Sequence, residues 1–138
     1  MDLETVPPDV LARSLRGLGV NLICRDVAAT AGFLARVFGL EIRRAGPDFA
    51  LAVHGGALVQ IHSDASFRNH PALGLLPEAG ARGAGVQLYL FGIDPDAAAA
   101  RAPAGHVIEP PADKPHGLRE ATILGPEGHA FSPAIPLP

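Results

Sequence analysis

The sequence predicts one α+β domain in which two βαβββ modules form a curved eight-stranded mixed sheet around a central cup. Two observations support this fold class. The order strand, helix and three strands occurs twice, over about 17–63 and about 85–134, and a linker at 64–84 with prolines and several glycines separates the copies. A single module cannot cover its own sheet, so we expect a single domain over 1–138. An α+β sandwich without internal symmetry is the alternative that this pattern leaves open.

The helix of the first module has the clearest end signals. Asp26 is a residue type that caps helix N-termini, and Gly39 is a typical helix stop. Alternating apolar residues bounded by turn residues predict the strands. The expected elements are a leading helix at Val6–Arg16, a strand at Val20–Arg25, the helix at Val27–Phe38, and strands at Leu40–Arg44, Phe49–Val53 and Ala57–His62.

The second module repeats this order after the linker, in which one helical turn is expected around Ala72–Leu76. Its helix begins at Asp94-Pro95-Asp96, where an aspartate cap precedes a proline in the first turn, and it runs to Arg101. The next strand is expected to be cut short by Pro110 and Pro111. The predicted strands are Val86–Phe91, His106–Glu109, Arg119–Leu124 and His129–Ala134.

Composition limits the class of partner. Hydrophobic residues make up 48% and charged residues 18% of the chain, which is typical of a folded globular domain. The net charge of -3 provides no basic field for nucleic acid or anionic lipid, and no apolar stretch approaches the ~20 residues of a membrane span. Cys24 has no cysteine to pair with, and Met1–Pro8 is unlike a signal peptide. We therefore expect a cytoplasmic protein.

Three segments together resemble the glyoxalase/bleomycin-resistance/extradiol-dioxygenase proteins, also called the vicinal oxygen chelate superfamily. Asn21–Glu41 resembles the first strand and helix of that family, Gly85–Ala98 resembles the start of its second module, and Lys114–Glu120 with Gly125–Gly128 resembles its closing hairpin. The resemblance implies a cup that takes a small organic molecule. It also implies a homodimer, for which the linker offers apolar residues at Phe67, Leu73, Leu75 and Leu76.

The positions that correspond to the metal ligands of the family hold weak donors. They are Gly19 or Asn21 on the first strand, Gln60 on the fourth, Gln87 on the fifth and Ser132 on the eighth. Divalent cations need imidazole, thiolate or carboxylate donors, so we expect no metal and no cofactor, although His62 beside Gln60 would strengthen a site. Strand alternation instead predicts a ligand-binding lining made of Asn21, Gln60, His62, Gln87, Tyr89 and Ser132.

His116 and Arg119 are the candidate catalytic residues. A histidine and an arginine at the rim of a cup suit recognition of a carboxylate or phosphate, or general acid–base chemistry. The alternative is a surface hairpin in which Arg119 pairs with Glu120 or Glu109. The sequence thus favours metal-independent binding of a small molecule. The alternatives are a lyase or isomerase similar to lactoylglutathione lyase (glyoxalase I), a dioxygenase-like metal enzyme with an atypical site, or a structural protein whose side chains fill the cup.

Overall fold

Eight strands and three helices follow the predicted order. The computed structural model describes residues 1–138. The elements are α1 (Pro8–Ser14), β1 (Val20–Cys24), α2 (Val27–Phe38), β2 (Glu41–Arg43), β3 (Phe49–His54), β4 (Ala57–Ser63), β5 (Gln87–Phe91), α3 (Pro95–Arg101), β6 (Val107–Asp113), β7 (Leu118–Leu124) and β8 (Ala130–Pro136), with 3-10 turns at Ala65–Phe67 and Pro71–Leu75. None of the helices is long and apolar enough to cross a membrane.

The strands form two four-stranded sheets. Sheet one has the order β1-β4-β3-β2, and sheet two has the order β5-β8-β7-β6. In each sheet the first and last strands of the module pair in parallel, and the other neighbours are antiparallel. The predicted two-module α+β fold is confirmed, with the difference that strands hydrogen-bond within each module and the eight do not form one continuous ladder.

One apolar core lies between the helices and both sheets. The Asp26 side chain accepts a hydrogen bond from the amide of Ala29, and Gly39 closes α2 with a φ of 70°, so both predicted end signals act as expected. Phe33 of α2 is 1% exposed and packs near Phe131 of sheet two, with ring centroids 6.5 Å apart. Since Ala98 of α3 belongs to the same buried cluster, α2 and α3 cover the same side of the molecule.

The linker is tied to both modules by two arginines. Arg82 is 3% exposed and pairs with Asp64, and it also donates to the carbonyl of Ile23 on β1. Arg25 donates to three linker carbonyls, while the Glu127 carboxylate of the second module accepts from the Arg25 amide at 2.7 Å. The linker therefore has a defined course despite its prolines and glycines.

The sixth strand is longer than the sequence predicts. It continues through Pro110 and Pro111 to Asp113, whereas the prediction ended it at Glu109. Prolines lack an amide donor, but β6 lies at the edge of sheet two, where one side of the strand has no neighbour. The pairing with β7 shifts register between Glu109 and Ala112, which accommodates the two prolines as an irregularity.

Candidate functional site

We call the side of each sheet that is turned away from α2 and α3 its inner face. On sheet one this face is covered by α1, and a cavity of about 390 Å³ lies between them. Leu51 of β3 is only 1% exposed beneath the helix, and Leu11 of α1 is 8% exposed. The cavity is lined mainly by apolar side chains, which are Pro8, Leu11, Ala12 and Leu15 from the α1 segment and Phe49, Leu51 and Leu58 from the sheet, together with Arg44 and Gln60.

Arg44 anchors the chain that leads into α1. Its backbone amide donates to the Glu4 carboxylate at 2.9 Å, and its guanidinium donates to the carbonyls of Leu3 and Val6. Arg44 is also the one residue other than glycine with a positive φ, 52°. Such a backbone conformation is uncommon for a side chain of this size, so the surrounding contacts hold it in place. The leading helix thus occupies part of the predicted cup.

The inner face of sheet two is polar and carries a chain of hydrogen bonds. The Gln87 amide donates to the Ser132 hydroxyl at 2.7 Å, and the hydroxyls of Ser132 and Thr122 lie 3.0 Å apart. Ser132 is fully buried and Thr122 nearly so, while Gln87 is exposed. Each of the two buried hydroxyls on these neighbouring strands therefore has a hydrogen-bond partner within the group.

A second polar group on sheet two contains the buried carboxylate of Glu120. This side chain is 8% exposed, and its two oxygens contact different partners. The Tyr89 hydroxyl donates to Oε1 at 3.2 Å, and Nε2 of His116 lies 3.3 Å from Oε2. Burial, followed by the contact with Glu120, raises the pKa of Tyr89, so its phenol stays protonated at neutral pH. The Tyr89 ring stacks on Phe91, with centroids 5.0 Å apart and planes 5° apart.

The six predicted lining residues divide equally between the two sheets. Asn21 and Gln60 are neighbours in the β1–β4 pairing, and Gln60 reaches the cavity under α1. Asn21 instead lines a smaller cavity of about 180 Å³, which Leu88 of β5 and Ala130 of β8 also line. His62 is the third residue of sheet one. The three residues of sheet two, Gln87, Tyr89 and Ser132, belong to its polar groups.

His62 lies among aromatic rings. Its centroid is 4.9 Å from that of Phe49 and 5.0 Å from that of Phe67, and its Nδ1 is 3.3 Å from the Ser66 hydroxyl. Partial burial lowers the pKa of His62, which favours the neutral ring among these apolar neighbours. Phe67 of the linker thus packs against sheet one of its own chain, at one end of the inner face.

The two candidate catalytic residues lie on opposite faces of sheet two. His116 joins the inner-face group of Glu120, whereas Arg119 points toward α3. The Arg119 guanidinium donates to both carboxylate oxygens of Asp96, at 2.6 and 2.8 Å, and to Asp113 at 2.9 Å. The prediction that Arg119 lies at the mouth of the cup is therefore wrong. The alternative, in which Arg119 pairs with Glu120 or Glu109, is wrong as well. Successive residues of a strand point to opposite faces, which separates Arg119 from Glu120.

The positions that correspond to metal ligands do not fit a divalent cation. Gln87 and Ser132 hydrogen-bond each other, and Asn21 and Gln60 offer neutral amides on the other sheet. No group of three or more histidine, cysteine, aspartate or glutamate side chains is arranged to hold a metal ion. Cys24 is fully buried, and burial raises its pKa to about 11, so its thiol is a poor metal ligand.

Sequence reasoning missed Glu120, Thr122, Leu51 and Arg44. For the first two a signal was present, because Glu120 and Thr122 alternate with the apolar Ala121 and Ile123 along β7 and so share the face opposite the core. Leu51 and Arg44 owe their roles to the docking of α1. No local pattern in the sequence indicates where that helix docks.

Solved structures of similar fold are numerous. A glyoxalase/bleomycin resistance protein/dioxygenase family enzyme from Burkholderia phytofirmans PsJN superposes with a TM-score of 0.68 at 20% identity, over 86% of this chain and 96% of that one. A glyoxalase/bleomycin resistance protein/dioxygenase from Nocardioides gives 0.65 at 20% identity, over 94% and 89%. A protein of unknown function from Agrobacterium tumefaciens gives 0.69 at 25% identity, over 90% and 96%.

No family model matches the sequence, and no curated protein matches it. At these identities the structural neighbours establish the fold. The chain has the glyoxalase/bleomycin-resistance/dioxygenase fold, and the resemblance stated from its sequence is confirmed at that level. Members of one fold carry out different chemistry, so the activity has to be argued from the residues of this chain.

Proposed function

We propose that this protein binds a small organic molecule, without a metal ion, in the cavity between α1 and the inner face of sheet one. The observation that carries the proposal is the cavity itself. Its volume of about 390 Å³ lies in the range of about 300–1,000 Å³ that is typical of ligand sites. Apolar side chains form most of its wall, and the Gln60 amide provides a hydrogen-bonding group. A mostly apolar ligand with one polar group is the chemistry that this wall matches.

Metal independence is part of the proposal and rests on the chemistry of the donors. The Gln60 amide is a weak ligand for a divalent cation, and the nearby Arg44 guanidinium repels one. The same amide recognises a carbonyl or hydroxyl of an organic molecule through ordinary hydrogen bonds. Binding is therefore favoured over metal-assisted catalysis, whether by a lyase similar to glyoxalase I or by a dioxygenase.

The proposal is tested by filling the cavity. Leu58→Trp places an indole ring where the ligand is expected, and 1-anilinonaphthalene-8-sulfonate is a suitable probe because its fluorescence increases in apolar sites. We expect the wild type to bind the probe saturably and Leu58→Trp to weaken binding at least tenfold, which corresponds to a loss of about 1.4 kcal/mol.

The matched control is Ile108→Trp, because Ile108 is 56% exposed on β6 and does not line the cavity. This variant is expected to bind the probe as the wild type does. Equal affinity of Leu58→Trp and the wild type, with unchanged circular dichroism, would place the probe elsewhere and contradict the proposal. Absence of any saturable binding to the wild type would contradict it as well.

We also propose that two copies form a two-fold dimer that buries more than about 1,200 Å² in total. Exposed apolar side chains support it, since Leu75 of the linker is 87% exposed and Val86 is 57% exposed. Light scattering is expected to give twice the mass of the chain, and Leu75→Asp is expected to shift the mass toward that of a monomer. A monomeric wild type at micromolar concentration would contradict this assembly. We also propose a cytoplasmic location, with which the absence of a disulfide at Cys24, the single cysteine, is consistent.

A further inference from the structure

Arg44 is the only charged side chain in the wall of the cavity under α1. The rest of that wall consists of apolar side chains and the neutral Gln60 amide. Arg44 is half-buried, and a cation in apolar surroundings is costly to desolvate unless an opposite charge balances it. Nothing else in the wall supplies that charge, so the cavity has a positive electrostatic character.

No carboxylate of the chain forms an ion pair with the Arg44 guanidinium. The neighbouring Arg43 is paired with Glu41. The Glu4 carboxylate accepts a hydrogen bond from the backbone amide of Arg44, but it lies outside ion-pair distance of the guanidinium. An anion from outside the chain can therefore pair with Arg44 without displacing a partner.

The Arg44 guanidinium also has hydrogen-bond donors to spare. An arginine side chain carries five N–H donors in one planar fork. Nε donates to the Leu3 carbonyl at 2.6 Å and Nη2 donates to the Val6 carbonyl, whereas Nη1 donates to no atom of the chain. The two carbonyls hold the guanidinium in place, so its remaining donors are oriented before a ligand binds. A carboxylate matches such a fork because its two oxygens accept parallel N–H bonds.

The strand register gives the direction in which a ligand bound to Arg44 extends. Arg43, Leu51 and Gln60 lie side by side on β2, β3 and β4, and Arg44 directly follows Arg43. Neighbouring strands are about 4.8 Å apart, so roughly 10 Å separates the backbones of Arg43 and Gln60. Leu51 lies between them and lines the cavity. A ligand with one end on Arg44 therefore crosses Leu51 toward the Gln60 amide.

We propose that the cavity under α1 takes an apolar organic carboxylic acid whose carboxylate binds the Arg44 guanidinium. The carboxylate accepts hydrogen bonds from the free donors of Arg44. The apolar body of the ligand packs on Leu51 and Leu58, and a polar atom at its far end reaches the Gln60 amide. This inference rests on the proposed binding function, because it names the class of ligand for the same cavity. Binding is reversible and involves no covalent step.

A singly charged carboxylate matches this cavity better than a phosphate or a neutral molecule does. One guanidinium balances one negative charge, and no second cationic side chain lines the cavity. A phosphate monoester carries about −1.5 to −2 charges at neutral pH, so it needs a second cation. A neutral ligand removes water from the guanidinium without balancing its charge.

The test compares two ligands that share one ring system and differ in charge. The affinities of 2-naphthoate and 2-naphthamide are measured by displacement of N-phenyl-1-naphthylamine, an uncharged dye whose fluorescence increases in apolar sites. We expect the wild type to bind the naphthoate at least about fivefold more tightly than the naphthamide. Leu58→Trp is expected to weaken binding of the dye itself, which shows that the dye occupies the cavity.

Two variants of Arg44 separate its charge from its attachment of α1. Arg44→Gln and Arg44→Lys both lose the guanidinium fork and both keep a side chain at the positive φ, but only the lysine keeps the charge. We expect Arg44→Gln to weaken naphthoate binding at least about tenfold and to change naphthamide binding less than about threefold. Arg44→Lys is expected to retain the preference for naphthoate. Arg43→Gln is the control, because Arg43 does not line the cavity, and both affinities are expected to stay unchanged.

Equal wild-type affinities for the two ligands, or equal losses of both affinities in Arg44→Gln, overturn the assignment of a carboxylate. The proposed binding function stands after either result if the dye binds saturably and Leu58→Trp weakens its binding. No saturable binding of the dye overturns both proposals. If Arg44→Gln does not fold, NMR of the Arg44 Nε–H in the wild type replaces it. We expect this resonance to shift with naphthoate and not with naphthamide, and equal shifts with both ligands overturn the inference.

Discussion

The inner faces of the two sheets differ in chemistry although their modules share one order of elements. The inner face of sheet one has Phe49, Leu51 and Leu58 and is covered by α1. The inner face of sheet two has Gln87, Glu120 and Thr122, and α3 packs on the opposite face of that sheet. The comparison shows that a repeated fold leaves the inner face free to vary, because the common core lies on the other side of both sheets. One face is suited to enclose an apolar molecule, and the other is suited to hold polar groups near solvent.

The largest expected effect concerns burial on the two faces. Leu51→Ala is expected to lower the free energy of unfolding by about 3 kcal/mol, because a fully buried leucine leaves a cavity. Phe91→Ala removes a larger side chain from the other face but is expected to cost less than about 1 kcal/mol, since Phe91 is 60% exposed. Urea denaturation measures both. Similar losses in the two variants would show that the faces are equally buried, contrary to this account.

A smaller effect concerns the ion pair between Asp64 and Arg82, which joins the two ends of the linker. The Arg82 hydrogen bond lowers the pKa of Asp64 below its usual value. The pair therefore stabilises the protein above the unfolded-state pKa of about 4, and this contribution is lost as the pH falls through the lower, folded-state pKa. Asp64→Asn is expected to cost about 2 kcal/mol at neutral pH, after allowance for partial exposure of Asp64.

Thermal unfolding of Asp64→Asn between pH 7 and pH 2 checks this prediction. The difference from the wild type should be largest at neutral pH and should shrink in acid. Asp9→Asn is the control, because its ion pair with Arg13 is exposed and it is expected to change stability by less than about 0.5 kcal/mol. A difference between Asp64→Asn and the wild type that stays constant down to pH 2 would contradict the role of this carboxylate.

The attachment of α1 is tested by releasing its anchor. Arg44→Gly removes the hydrogen bonds to Leu3 and Val6 while tolerating the positive φ of the backbone. Trypsin cleavage after Arg13 is expected to become about fivefold faster, which corresponds to the loss of about 1 kcal/mol. Arg43→Ala serves as the control, because Arg43 pairs only with the neighbouring Glu41 and should leave cleavage unchanged. Equal cleavage of Arg44→Gly and the wild type would mean that α1 is held by other contacts.

The smallest expected effect distinguishes the two glutamines. Gln87 is exposed and makes one side-chain hydrogen bond, so Gln87→Leu is expected to change the free energy of unfolding by less than about 0.5 kcal/mol. Its affinity for 1-anilinonaphthalene-8-sulfonate should stay within twofold of the wild type, because Gln87 does not line the cavity under α1. Gln60→Leu should change that affinity measurably. A fivefold loss of probe affinity in Gln87→Leu would instead show that both inner faces contribute to one binding site.

The sequence was most informative where local signals determine structure. The Asp26 cap and the Gly39 stop define α2 to the residue, since both act through the backbone next to them. Alternation along β4 correctly separated Gln60 from the buried Ile61. These predictions succeeded because helix ends and strand faces depend on neighbours within a few residues.

The features that could not be predicted depend on long-range contacts. Pro110 and Pro111 are compatible with a strand only because β6 lies at a sheet edge. Arg119 was assigned to the cup because the sequence does not show that Asp96 of α3 lies opposite it. The position of α1 on sheet one likewise depends on Arg44, which is 38 residues from Val6 in the chain. Tertiary packing decided each of these.

Backbone NMR with 1-anilinonaphthalene-8-sulfonate tests the separate roles of the two inner faces most directly. Amide shifts are followed in the uniformly labelled wild-type protein as the probe is added. This account predicts that the largest shifts fall within Pro8–Ser14, Phe49–His54 and Ala57–Ser63, and that Gln87–Phe91 and Leu118–Leu124 change little. Shifts centred on Gln87–Phe91 and Leu118–Leu124, with α1 and sheet one unaffected, would contradict it.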